Sequence, residues 1–272
     1  MMQNSDWWKI GTLALKTPLE RWHLLLRCLP GAGFIYLVLV GMSFAVSEDS
    51  WLKQWPVDDF AILPLLWEVP ALMLKWVWMN ALWHGNDSRA LASPRTPMFW
   101  QFFGLFFLVD LAYQAFFWLV DFARAKMADF ASVADHMPVI GTFAMTLVPF
   151  IIFGLFLFAM WISVRLVIWS AVVIDRRRIV GPDVIWHLTR GYDGLIFMAF
   201  LVVIFVAGGA AAITSAMIGQ FDIPDTDILW HLHPISILSR VYGIAAMSAA
   251  TLLVYRRILD GPIAVGASPK AE

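Results

Sequence analysis

Six apolar runs divide this chain, at about 30–46, 60–83, 98–120, 139–163, 194–218 and 236–255. Each is near the roughly 20 residues that carry a helix across a hydrocarbon layer about 30 Å thick. A segment in hydrocarbon must satisfy every backbone N–H and C=O without water, and a helix does so within one run. The pattern therefore predicts an all-α, polytopic membrane protein of about six transmembrane helices. The first run is short and contains Gly31 and Gly33, so it takes length from the helix before it. Composition agrees: 61% of residues are hydrophobic and 14% charged, where soluble domains carry about 25% charged residues. The 15 Trp and 21 Phe suit aromatic belts at the membrane boundaries. The connections between runs are short, which leaves no room for a separate catalytic domain. The single cysteine, Cys28, excludes an internal disulfide and multi-cysteine metal sites.

Orientation follows from the flanking Lys and Arg residues. With the N-terminus inside, the inner segments carry 14 of them: Lys9, Lys16, Arg21, Arg27, Arg89, Arg95, Arg165, Arg176, Arg177, Arg178, Arg190, Arg256, Arg257 and Lys270. The outer segments carry Lys53, Arg124 and Lys126, amid many Asp and Glu residues. Both termini are expected in the cytoplasm. The division expected along the chain is an interfacial amphipathic N-terminus over 1–29, a membrane domain over 30–257 and a cytoplasmic tail over 258–272. In the first part Trp7, Trp8, Leu13, Trp22 and Leu25 alternate with Lys9, Lys16 and Arg21, as in a helix lying in the interface. Thr17-Pro18-Leu19-Glu20 reads as a capping box with Pro at the first helical position, so a new helix is expected to start there. The run is too polar for a secretory signal peptide.

The densest positive charge lies between Trp161 and Gly194, a stretch that joins the fourth and fifth runs. Gly181 and Pro182 break it, Pro182 suits the first turn of a helix, and Gly191 is placed to stop that helix. Between these marks Val184, Ile185 and Leu188 recur at helical spacing, which predicts a basic amphipathic helix on the membrane face between spans four and five. Arg165, Arg176, Arg177, Arg178, Trp186 and Arg190 are the candidate lipid and headgroup contacts, since basic residues beside an anionic leaflet attract it. The competing explanation is that the arginines only set topology. An internal echo accompanies this stretch: Pro18 precedes Trp22-His23-Leu24, Pro182 precedes Trp186-His187-Leu188, and Arg95 to Trp100 is a fainter third copy.

The run from Arg165 to Gly191 resembles the signature of the glycerophosphodiester phosphodiesterase membrane-domain and YciC-type superfamily of bacterial inner-membrane proteins. The matching residues are Arg165, Gly181, Trp186, Leu188, Thr189, Arg190 and Gly191. The chain departs from that pattern at Ile168-Trp169-Ser170-Ala171, where the family often has a Pro, and at Asp193, where it often has an aromatic residue. The resemblance implies a six-span layout in the bacterial inner membrane. It implies no catalysis, because the phosphodiesterase activity of two-domain members belongs to a soluble barrel that is not part of this sequence.

Four ionisable residues fall inside the apolar runs: Glu68, Lys75, Asp110 and Arg240. Charges at that depth are costly, at roughly 3 kcal/mol each, and pair within the bundle. Depth arithmetic pairs Lys75 with Asp110 and Glu68 with Arg240. Two uses follow: a polar path for a proton, ion or headgroup, or cohesion between helices. His231 and His233 with Asp222, Asp225 and Asp227 have the chemistry of a zinc or manganese site, but their i, i+2 spacing puts both rings on one face only in an extended segment, so a solvated acidic loop is expected and no metal site is assigned. His84, Asn86 and Asp87 read as a helix end and turn. No catalytic triad, phosphate loop or carboxylate pair is present, and no cofactor or nucleic-acid partner is expected. The expected role is non-catalytic: an accessory, scaffold or regulatory protein acting on a membrane partner or anionic lipid. The alternative is a small carrier that uses the polar path.

Overall fold

A computed structural model describes residues 6–47, 62–85, 96–108, 138–219 and 234–260. The regular structure among these residues is all helical, with no strand. The helices are α1 (Asp6–Glu20), α2 (Trp22–Ser47), α3 (Ile62–His84), α4 (Pro97–Leu108), α5 (Pro138–Arg176), α6 (Pro182–Thr189), α7 (Asp193–Gly219) and α8 (Pro234–Leu259). Three contain stretches long and apolar enough to cross a membrane: Trp22–Gly41, Asp193–Ala210 and Pro234–Leu259.

Helix α8 is the hub. It packs most extensively on α7 and α1, and also on α3 and α5, while α2 packs on α3. Its buried face combines Leu252, Val254, Tyr255 and Ile258 with a run of small residues before them, Ala245, Ala246, Ser248, Ala249, Ala250 and Thr251. Such residues let helix backbones approach closely where hydrophobicity alone gives no preference for protein over lipid tails. Trp76 fills the main core from α3, edge-on to Phe99 at 5.8 Å and to Phe102 at 5.0 Å. A second, smaller cluster joins Cys28, Ala32, Leu74, Trp78, Ala81 and Ala245, with Trp78 Nε1 donating to the Ala245 carbonyl at 3.0 Å.

The N-terminal region differs from the expected pattern. Helix α1 runs through Pro18 to Glu20, and the break falls at Arg21. The reason is local: the Thr17 hydroxyl turns back to bond the Leu13 carbonyl at 2.8 Å, so it caps nothing. The boundary expected at residue 29 lies inside α2, which begins at Trp22. Helix α1 is packed on α7 and α8 along one side, through Ile10, Gly11, Ala14 and Pro18. A Cβ added at Gly11 would stand 2.8 Å from Val202 Cγ1, so only glycine permits this approach to α7. Asp6 pairs with Arg257 at 2.9 Å, and the Leu15 carbonyl accepts from Tyr242 Oη at 2.9 Å. These two contacts make α1 antiparallel to α8.

The stretch after the fourth run also differs. Its helix was expected to end near residue 163, but α5 continues to Arg176 and reaches 39 residues, about 58 Å at 1.5 Å per residue. Arg165 looks like a stop in the sequence, yet the helix carries it into the core and continues through Ile168, Ala171, Val172, Val173 and Ile174, all buried. The chain then turns at Arg177, whose φ of 51° is left-handed, a conformation that ends many helices and usually belongs to Gly or Asn. Helix α6 starts with Pro182 in its first turn, and Gly191 follows its end with φ 84°.

Candidate functional site: a polar collar at the end of α5

The polar side chains gather where α5 ends, and each has a definite job. Asp175, in the last turn of α5, accepts from Trp83 Nε1 on α3 at 3.0 Å and from Tyr255 Oη on α8 at 2.6 Å. One carboxylate thus ties three helices by meeting the donors that two large aromatics must satisfy when buried. One residue earlier, the Ile174 carbonyl contacts His84 Nε2 at 3.0 Å, while His84 Nδ1 contacts Arg177 Nη2 at 3.1 Å. A guanidinium only donates and a carbonyl only accepts, so His84 carries its proton on Nε2 and accepts at Nδ1. It caps one of the carbonyls that the last turn of a helix leaves without a partner.

The turn between α5 and α6 is fastened in the same way. Gln101 of α4 donates through Nε2 to the Val180 carbonyl at 2.7 Å, and accepts from the Val180 N–H at 3.1 Å. Its side-chain amide pairs with one residue as a neighbouring backbone would. Trp169 Nε1 donates to the same carbonyl at 3.0 Å.

Arg165 is the deepest charge in the collar. Its side chain is 7% exposed, and its Nε donates to Asp193 Oδ1 at the head of α7 at 3.1 Å. The guanidinium lies over the rings of Trp161 at 4.3 Å and Trp186 at 4.1 Å, whose own centroids are 5.3 Å apart. Nη1 is buried with no hydrogen-bond partner among the described residues. Arg165 therefore joins α5, α6 and α7 from inside. The remaining candidate contacts, Arg176, Arg177, Arg178 and Arg190, are exposed, as is Trp186 at 51%. Trp8, beside the Asp6–Arg257 pair, and Trp100, beside Gln101, are exposed at 57% and 62%.

Of the four charges that fall inside the apolar runs, Glu68 and Arg240 stand together, with Arg240 Nη2 donating to Glu68 Oε1 at 2.8 Å. Lys75 places its Nζ 3.7 Å from the Phe106 ring centroid. Its expected partner, Asp110, lies outside the described residues, as do His231, His233, Asp222, Asp225, Asp227, Asn86 and Asp87. No group of three His, Cys, Asp or Glu side chains that could hold a metal ion occurs among the described residues. The hydroxyls of Ser170, Thr189, Ser248 and Thr251 bond carbonyls of their own helices, which occupies them as helix contacts. The collar's chemistry is cohesion on the inside, with cations and indoles on the outside.

Asp175, Gln101, Trp83 and Tyr255 are the collar residues that sequence reasoning missed. The signal lay in the indole and phenol donors of two apolar runs, which require acceptors. The internal echo does not fold alike: Pro18 lies inside a helix, whereas Pro182 opens one. No family model, curated protein or solved structure matches the chain.

Proposed function

We propose that this chain is a six-span protein of the bacterial inner membrane, with both termini cytoplasmic, that acts without catalysis. It serves as an accessory, scaffold or regulatory protein and holds a membrane partner or anionic lipid against its cytoplasmic face. The observation that carries this reading is the collar's outer surface. Arg176, Arg178 and Arg190 are exposed there with the indoles of Trp100 and Trp186, and indoles of this kind settle at the headgroup level. The hydrogen bonds of Asp175, Gln101 and His84 hold that surface in a fixed shape. The superfamily resemblance through Arg165 to Gly191 points the same way. The spans beyond the three membrane-length helices belong to this proposal, and they rest on the six apolar runs.

Replacing Arg176, Arg177 and Arg178 together by Gln tests the reading. At roughly 1 kcal/mol per basic residue near an anionic surface, the variant purified in mild detergent should retain clearly less anionic lipid. Reporter fusions after Arg95 and residue 178 should still report cytoplasm, and fusions after Lys53 and Asp225 the opposite side. Unchanged lipid content would reduce the arginines to topological markers. A second reading, a small carrier, is favoured by the Glu68–Arg240 pair beside a cavity between α2, α3 and α8. Substrate-dependent flux in proteoliposomes would select it.

A further inference from the structure

The cavity lies between α2, α3 and α8 and has a volume of about 120 Å³. An apolar cavity of about 150 Å³ is enough to hold a benzene ring, so this one accommodates a short stretch of hydrocarbon. Small residues create it. Ala32 and Gly33 on α2 face Pro70 and Ala71 on α3, and a Cβ added at Gly33 would meet nothing within 4 Å. Apart from Tyr36, Ser236 and Arg240 its lining is apolar. The cavity is partly open, and two of its three walls belong to the membrane-length stretches Trp22–Gly41 and Pro234–Leu259. Arg240 stands in the wall about one-third exposed. A guanidinium has five N–H donors, and the bond to Glu68 uses one of them.

We infer that this cavity is a lipid site. It takes a segment of one acyl chain of an anionic phospholipid, and Arg240 binds a phosphate oxygen of the headgroup. The apolar walls select the chain because hydrocarbon is the solvent around these helices. Arg240 holds the phosphate because guanidinium and phosphate geometries match, with two parallel N–H···O bonds available, and it favours an anionic lipid over a zwitterionic one because there no headgroup cation offsets the phosphate charge. Glu68 keeps the cation aimed at the cavity while the site is empty. The site is distinct from the arginines of the collar and does not rest on the reading given to them.

The test is photolabelling of the full-length protein in vesicles. Phosphatidylglycerol carrying a diazirine in one acyl chain is compared with phosphatidylcholine carrying the same chain. Phosphatidylglycerol should label peptides around Gly33, Leu74 and Ile237 preferentially. Gly33→Leu fills the cavity at an ordinary helical position, so the fold is kept while the label disappears from those peptides. Arg240→Gln, made together with Glu68→Gln so that no lone charge remains, should lower phosphatidylglycerol labelling about tenfold, the worth of one charge-assisted bond. The variant lacking Arg176, Arg177 and Arg178 should label as the parent does, which separates this site from the collar. Labelling spread evenly over exposed faces of α5 and α7, equal labelling by the two lipids, or unchanged labelling in Gly33→Leu would each overturn the inference.

Discussion

Helix α5 carries two regions of similar apolarity and opposite fate. Leu147, Phe150, Ile151, Phe153, Leu155, Leu157 and Phe158 are exposed, whereas Ile168, Ala171, Val172 and Val173 are each 0% exposed. Hydrophobicity does not separate them. The buried region differs by its polar residues: Arg165 reaches Asp193, Trp169 reaches Val180, and Asp175 reaches Trp83 and Tyr255. Lipid tails are as apolar as leucine, so an apolar face has no inherent preference for another helix. A few polar bonds and close-packed small residues decide which part of such a helix becomes interior.

The strongest way to break this contrast is to remove its central acceptor. Asp175→Ala would leave the Trp83 indole and the Tyr255 hydroxyl without an acceptor, at about 1–3 kcal/mol for each stranded donor. The expected loss, about 2–4 kcal/mol after discounting for partial exposure, should appear as a lower unfolding midpoint in mild detergent. Arg165→Lys sharpens the contrast at the deepest charge. The ammonium keeps the charge but not the planar fork or the stacking on two indoles, and a loss of about 1–2 kcal/mol is expected. Wild-type stability in this variant would mean that charge alone matters there. Phe150→Ala probes the exposed region. It should change stability by less than about 0.5 kcal/mol in the same assay, and a loss comparable to that of Asp175→Ala would show that Phe150 is packed against protein.

Some of this was legible in the sequence and some was not, for physical reasons. The helical class follows from the length of the apolar runs. Pro182 and Gly191 mark the limits of α6, because one residue lacks a donor and the other tolerates a positive φ. Depth arithmetic set Glu68 opposite Arg240, and they stand 2.8 Å apart. The extension of α5 past Arg165 was hidden because a charge at the edge of an apolar run looks the same whether it meets headgroups or Asp193. The course of α1 was hidden because its alternation of apolar and basic residues fits both an interface and a groove between helices. Gly11, facing Val202, is the residue that distinguishes them, and its partner is far away in the chain. Asp175 passed unnoticed beside three arginines because its partners lie on other helices.

The placement of α1 has a consequence in time. Asp6 meets Arg257 across 251 positions of sequence, and the groove it occupies is built by α7 and α8, which emerge from the ribosome after it. Helix α1 must therefore wait, with Ile10 and Ala14 unmatched, until α7 and α8 are in place. Contacts of such separation require a large loop to close before they yield any stabilisation. Docking of α1 thus follows synthesis of α8, and a chain that stops before α8 keeps only one of the two walls on which α1 packs.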